Sequence, residues 1–449
     1  MLDIKFIRNN EDEIRKTLTN KGIKDVSLDE FLEIDNSRGD LLRRIEQHRS
    51  LRNQLSSDVS KVKKGADRNK LVEEARKVKE ELHEMETEFT ELDEKHKELL
   101  MKIPNVPSRE MPVGKGEEDN VVLKVWVPER GYLDLGSNTQ YSDVSYMEET
   151  KFPYKDHVEL GELLDVIDVK QSAVVSGSRF SYLKNEAVLL QDAIFSYLKS
   201  RLRSMGYVPM IPPILVRENA LFGTSHFPEG KADAYKIENF NVEDKNELYL
   251  VGSSEPANFS YFTDKVFEKR ELPVKLFAQT TCFRSEVGSW GKDVRGIKRV
   301  HQFDKLEMNA LCLPEESRSI FDEFLETNEW MLQQLKLPYR IVNKCTGDCG
   351  YNASYLQYDF EYWCPGEREF IEGGTNTITT DYQARRLNIK YKDAQKTNFV
   401  HTVNDTGCAM PRMLISILEN YQTEDGSVVI PEILREFVGL EKILPKLDS

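Results

Sequence analysis

The chain has 449 residues and a net charge of −15, with 39% hydrophobic and 31% charged residues, which suits two or three folded domains and excludes an intrinsically disordered chain. No run approaches the roughly 18 consecutive apolar residues of a membrane span, and the charged start MLDIKFIRNNEDEIRK is unlike a signal peptide. Six irregularly spaced cysteines make no disulfide framework, so a reducing, cytoplasmic setting and no membrane contact are expected.

Residues 1–26 read as a short extended start and a helix, with Leu2, Ile4, Phe6 and Ile7 available for packing. From Ile34 the pattern changes. Ile34, Leu41, Ile45, His48, Arg52, Leu55, Val59 and Val62 recur at steps of three, four or seven. After Gly65 and Asp67, which supply turn chemistry, Leu71, Ala75, Val78, Leu82, Met85, Phe89, Leu92, His96, Leu99 and Ile103 alternate steps of four and three. Two long helices joined by a tight turn are predicted, an antiparallel hairpin ended by Pro104, Pro107 and Pro112. At about 1.5 Å per residue its second helix reaches roughly 50 Å.

The segment 43–80 holds twelve Lys/Arg against six Asp/Glu on an otherwise acidic chain. Arg49, Arg52, Lys61, Lys63, Lys64, Arg68 and Lys70 crowd the turn, where they could meet phosphates. Periodicity and charge alone leave a dimerisation or spacer element open.

Residues 104–150 form a connector punctuated by Pro and Gly, with strand-like pieces at 121–127 and 132–135. Beyond residue 155 the texture is α+β. Helices are expected over 185–205, 315–334 and 412–420, and strands over 207–213, 247–251, 274–284, 299–311, 339–342, 357–363 and 370–377. Strands in succession with helices outside point to an antiparallel sheet.

No phosphate loop of the Walker or dinucleotide type occurs, since GKDVRG lacks the spacing and the Lys-Ser/Thr ending. Cys345 and Cys349 have no matching pair for zinc. His157, His226 and His301 are far apart in sequence and read by default as structural. Residues 282–311, CFRSEVGSWGKDVRGIKRVHQFDKLEMNAL, stand out. Folded as a hairpin, they put Arg284, Glu286, Arg299, Phe303 and Glu307 to one side. An arginine fork suits a phosphate, a flat ring a purine, and a carboxylate an ammonium group. An ordinary amphipathic hairpin with cross-strand ion pairs has the same pattern.

This segment resembles motif 2 of class II aminoacyl-tRNA synthetases in the form found in seryl-tRNA synthetases: FRSE, a Gly-rich loop, then RVHQFDKLE. Residues 176–216, ending near Pro212 and Pro213, resemble motif 1. Residues 401–421, HTVNDTGCAMPRMLISILENY, resemble motif 3 with its arginine at Arg412. TGDCGYNASYLQYDFEYWCPG and DYQARRLNIKY also read like that family, and the likeness covers nearly the whole chain. It implies an α+β protein with an N-terminal antiparallel helical hairpin (coiled coil) over 1–110, facing the long variable arm of tRNA. Residues 111–449 would form a class II catalytic domain on an antiparallel β-sheet flanked by helices.

The resemblance also implies activation of L-serine with ATP and Mg2+, transfer to tRNA(Ser), with tRNA(Sec) left open as a second substrate, and a homodimer. By position, Arg284, Glu286 and Arg412 carry the chemistry. Arg284 would bridge the substrate carboxylate and the α-phosphate, Glu286 hold the adenine end, and Phe303 stack on adenine, with Arg412 stacking on its other face or reaching the γ-phosphate. Ser285, Arg299, Val300, Gly373 and Gly374 complete the ATP site, and Glu372 with Thr375 would hold the metal. Glu307 would bind the serine ammonium, Asn404 and Thr406 its hydroxyl, with Ser253, Ser254 and Glu255 beside them.

Three positions depart from the family pattern. Ser253-Ser254-Glu255 stands for its TxE signature, Gly373-Gly374 for serines after the glutamate, and Asp405 for a glycine, which adds a negative charge beside the substrate. The segment 127–153 also exceeds what the family requires. Another class II specificity is disfavoured because only 37 residues follow Arg412, too few for an appended anticodon-binding domain. A non-enzymatic tRNA-binding paralogue should have lost some of the site residues. A relative that loads a carrier protein would lack the hairpin.

Overall fold

The computed structural model describes residues 1–62, 65–136, 139–238, 247–287, 295–350, 352–394 and 396–446. Lys63 and Lys64, expected at the turn of the hairpin, lie outside the described residues, as does the Gly-rich stretch 288–294. Two compact units emerge, residues 2–104 and the rest of the chain.

In the first unit, helix begins at Ile4, where an extended start was expected, because Asp3 caps it by accepting from the Lys5 and Phe6 amides. A second short helix, Glu11–Asn20, follows. The predicted hairpin is present as α1 (Leu28–Lys61), capped by Ser27, and α2 (Ala66–Lys102). Leu41 and Ile45 pack against Leu82 and Met85, flanked by Phe89 and Leu92. His96, part of the apolar repeat, is buried because its Nε2 lies 3.1 Å from Asp35, whose carboxylate also accepts from Arg8 at 2.9 Å. Toward the turn the seam weakens, leaving Arg52 and Val62 exposed.

In the second unit, nine strands among the described residues form one sheet. They are β1 (Val121–Val127), β2 (Gly131–Tyr132), β3 (Val208–Met210), β4 (Val274–Phe283), β5 (Gln302–Cys312), β6 (Tyr339–Asn343), β7 (Leu356–Cys364), β8 (Glu369–Thr380) and β9 (His401–Ala409). Their order is β2-β1-β6-β7-β8-β9-β5-β4-β3, and every pairing is antiparallel except β4 with β3. The central strand β9 was not anticipated. HTVNDTGCA carries Asn, Asp and Gly, which strands usually avoid, and it forms a strand because β5 and β8 pair with it on both edges.

Helices α3 (Glu186–Ser204), α4 (Ser317–Gln334) and α5 (Met410–Asn420) share the main core with the sheet. In α3 the buried Ala187, Leu190, Ile194, Leu198 and Leu202 keep helical spacing. The segment 127–153 covers the sheet's outer strands: Leu133, Leu135, Tyr141 and Tyr146 pack over Val122, Val125 and Val342. No helix among the described residues is long and apolar enough to cross a membrane.

Candidate active site

Strand alternation builds the site. On β5, Phe303, Lys305 and Glu307 share a face by their spacing of two, and the register Glu307↔Thr406 and Asn309↔Asn404 sets the β9 side chains beside them. On the opposite face Leu306 and Met308 join the main core, and Asp304 accepts from Gln191 of α3 at 3.0 Å. Phe303, Lys305, Glu307, Asn404 and Thr406 thus line one cleft of about 290 Å³, joined by Arg284, Glu286, Arg299, Val300 and Glu372 to Thr375, by Ser253 and Glu255, and by Arg412. It brings together all the anticipated serine, ATP and metal residues except Ser254, which accepts from Asn258 Nδ2, and Ser285, whose hydroxyl turns to Ala232 O and Asp233.

The hairpin β4–β5 pairs from Val274↔Leu311 to Phe283↔Gln302. Arg284 lies just past the strand, its amide donating to His301 O at 3.0 Å and its guanidinium 5.5 Å from the centre of the Phe303 ring. Glu286 follows with a φ of +53°, and Arg299 Nη1 stands 3.5 Å from its carboxylate. At the buried end, Lys305 Nζ is 2.5 Å from Glu307 Oε2. Burial pushes the Glu307 carboxyl up, and Lys305 only partly offsets it.

Arg412 sits in the first turn of α5. Its guanidinium donates to the Glu372 backbone carbonyl, stands 3.4 Å from the Glu372 carboxylate and reaches Lys298 O at 3.5 Å. Desolvation raises the Glu372 carboxyl, but Arg412, Lys344, Arg284 and Arg299 outweigh it and hold it below the usual range. Thr375 donates its hydroxyl to Asp359 Oδ1 at 2.9 Å, so its remaining lone pairs are available at the cleft it lines. An ionised carboxylate and a hydroxyl oxygen are hard donors that fit a magnesium ion also held by phosphates.

The two glycines after Glu372 have a packing cause. A Cβ on Gly373 would fall 2.0 Å from the Tyr362 ring, and one on Gly374 would fall 2.8 Å from Thr406 O. Gly373→Ala should therefore cost about 1–3 kcal/mol by overpacking. A fall in the denaturant midpoint checks it, and an unchanged midpoint would show that the Tyr362 ring moves aside freely.

Asp405 corrects an expectation. It does not stand beside the substrate. Between Asn404 and Thr406 it turns to the opposite face of the sheet, fully buried, accepting from Asn328 Nδ2 of α4 at 2.6 Å. Burial raises its carboxyl well above the usual range. A carboxyl raised on folding costs nothing below its unfolded pKa of about 3.9 and costs progressively more as pH climbs toward its folded value. Asp405→Asn keeps the acceptor for Asn328 and removes that cost. Its Tm should exceed the parent's by a few degrees at pH 8, with the gap closing toward pH 4; a gap independent of pH would contradict the buried-acid reading.

The cleft also contains His226, read from sequence as structural, and residues not singled out there: Lys298, Lys305, Gln357, Thr377, Ala409 and Pro411. Lys305 was legible in principle from its alternation with Phe303 and Glu307. His226 had no local signal. Burial, with Lys305 and Arg284 nearby, pushes its imidazole down to about 3, so it is neutral in the cleft. His157 meets Glu367 and Glu419, with Nδ1 3.8 and 3.5 Å from their carboxylates. Its Nε2 accepts from the Ile297 amide, however, which leaves the proton on Nδ1 and no lone pair there for a metal. His301 bonds Arg284 O through Nδ1.

Of the turn residues in the hairpin unit, Arg49 pairs with Glu86 at 2.7 Å and Lys61 with Asp58 at 3.5 Å. Arg52 donates to Asn53 at 3.1 Å, and Arg68 and Lys70 lie at the start of α2.

Residues 1–107 match the family model described as seryl-tRNA synthetase N-terminal domain, and residues 235–421 match the tRNA synthetase class II core domain (G, H, P, S and T). A serine–tRNA ligase from Thermodesulfovibrio yellowstonii is 36% identical, covering 99% of this chain and 100% of its own length. The crystal structure of seryl-tRNA synthetase from Pyrococcus horikoshii complexed with ATP superposes with a TM-score of 0.89 at 36% identity, over 100% of both chains. A cytoplasmic serine–tRNA ligase from Naegleria fowleri in complex with AMP gives a TM-score of 0.82 at 27% identity, over 100% of this chain and 99% of its own.

Proposed function

The chain belongs to the seryl-tRNA synthetase family, and from that membership we propose how its own residues carry the activity. The reaction itself has two steps. A carboxylate oxygen of serine attacks the α-phosphorus of ATP in line, pyrophosphate leaves, and seryl-adenylate forms. A ribose hydroxyl of the tRNA terminus then attacks the seryl carbonyl and AMP leaves. Positioning and neutralisation of charge suffice, with no covalent enzyme intermediate.

Arg284 bridges the serine carboxylate and the α-phosphate, its fork matching both groups. Phe303 and Val300 receive the adenine ring, with Arg412 on its other side, and Glu286 with Arg299 holds the adenine end. Glu372 and Thr375 hold Mg2+, which when bound neutralises the phosphates. The serine ammonium joins Lys305 at Glu307. Asn404 and Thr406 meet the hydroxyl, with Ser253 and Glu255 beside them. A buried site that must pair a hydroxyl rejects alanine because polar groups would be left unsatisfied. Threonine must be excluded by fit.

The hairpin engages tRNA(Ser) through Arg49, Arg52, Lys61, Lys63, Lys64, Arg68 and Lys70, and tRNA(Sec) is a candidate second substrate. The reading includes a cytoplasmic homodimer and, within each chain, a boundary between hairpin and catalytic domains near residue 110. One observation carries the active-site assignment: residues scattered from 253 to 412 line a single cleft. Purified chain should exchange labelled pyrophosphate into ATP with serine and not with alanine or glycine. Exchange with alanine or glycine but not serine would sink the specificity.

A further inference from the structure

One buried hydrogen-bond relay has its polarity fixed at one end by a backbone carbonyl. It starts at the Thr224 backbone carbonyl, which can only accept. Gln383 Nε2 donates to that carbonyl at 3.0 Å and to Glu255 Oε1 at 2.7 Å. Gln383 Oε1 accepts from Thr402 Oγ1 at 2.8 Å, and the neighbouring Thr379 hydroxyl donates to Thr402 O at 3.0 Å. Both amide hydrogens are used and the amide oxygen is paired, in a side chain with no exposed surface. A flipped amide would set its oxygen against the Thr224 oxygen.

Glu255 Oε1 also accepts from Asn404 Nδ2 at 3.1 Å. The Gln383 N–H already makes this oxygen an acceptor, so the Asn404 amide meets it through its nitrogen. Its Oδ1 is then the group Asn404 offers the cleft it lines.

We propose that Gln383 is a positioning residue for amino-acid selection: through Glu255 it turns the Asn404 carbonyl oxygen toward the substrate side chain, so that the pocket requires a hydrogen-bond donor there. The inference rests on the reading above that Asn404 meets the serine hydroxyl. Serine supplies the donor, whereas alanine and glycine leave a nearly buried acceptor unpaired. Threonine carries the same hydroxyl, so the relay does not act against it. Gln383 should thus control serine over alanine and not serine over threonine.

Gln383→Glu keeps the size and replaces the amide nitrogen with an oxygen that opposes Thr224 O and Glu255 Oε1. In pyrophosphate exchange, its KM for serine should rise about tenfold or more and its serine/alanine preference should fall by a similar factor. The KM for ATP and the serine/threonine preference should stay within about twofold. Protonation gives the introduced carboxyl a donor again, so the serine defect should shrink from pH 8 to pH 6. Thr402→Val removes one donor that fixes the amide and should move the serine/alanine preference the same way by less.

An unchanged preference in Gln383→Glu, or equal rises in KM for serine and ATP, overturns the inference. If Gln383→Glu does not fold, Thr402→Val decides, and an unchanged preference overturns it. Asn404→Ala separates the two layers. A preserved preference there refutes Asn404 as the hydroxyl contact. A collapsed preference in Asn404→Ala with an intact one in Gln383→Glu refutes only the positioning role.

Discussion

Arg284→Ala is expected to lower serine-dependent pyrophosphate exchange by about 10²–10³-fold or more, the usual consequence of losing a donor aimed at developing charge. The residue lies at the exposed end of β4, with its guanidinium over the Phe303 ring and its Nε and Nη2 3.4 Å from Gly252 O. Those contacts orient the fork and contribute little to the core, so the fold should survive the substitution. Arg284→Lys should recover little, since a point charge cannot hold a carboxylate and a phosphate together. The check pairs exchange kinetics with a Tm measurement. Loss of exchange at an unchanged Tm supports a role in the chemistry, and near-native exchange would remove Arg284 from the mechanism.

The second large effect concerns the hairpin. Replacing residues 28–102 with a short linker should leave pyrophosphate exchange within about twofold and reduce aminoacylation of tRNA about 100-fold or more. The serine and ATP residues all lie in the other compact unit, whose sheet and helices bury their own core. Among the described basic residues near the turn, Arg49 and Lys61 make surface pairs with Glu86 and Asp58, which are weak and can be exchanged for phosphates. Arg52, Lys61, Arg68 and Lys70 changed together to alanine should weaken aminoacylation about tenfold and flatten its salt dependence. Equal loss of both steps on deletion would make the hairpin a support for the catalytic unit, and loss of neither would make it a spacer.

The sequence revealed most where one force dominates. The hairpin follows from apolar spacing, and the strands flanking the Gly-rich loop follow from alternation around Phe303 and Glu307. Strand β9 was missed because pairing on both edges overrides the poor strand propensity of Asn404, Asp405 and Gly407. Asp405 was misread for a related reason: without knowledge that this segment is a strand, nothing says that its side chain points away from those of Asn404 and Thr406. Gly373 is explained only by Tyr362 on the neighbouring strand, and His226 and Gln383 join the site through contacts between segments far apart in sequence. The Asp3 cap was legible but lost to the apolar alternation of Leu2, Ile4 and Phe6.

The most direct test of the whole account is charging of a tRNA(Ser) transcript with labelled serine by the full chain and ATP. Label should reach the tRNA as an alkali-labile ester, with serine and not alanine, and one AMP should be released per ester formed. Formation of seryl-adenylate with no ester on tRNA(Ser), at saturating tRNA and low salt, would contradict the account.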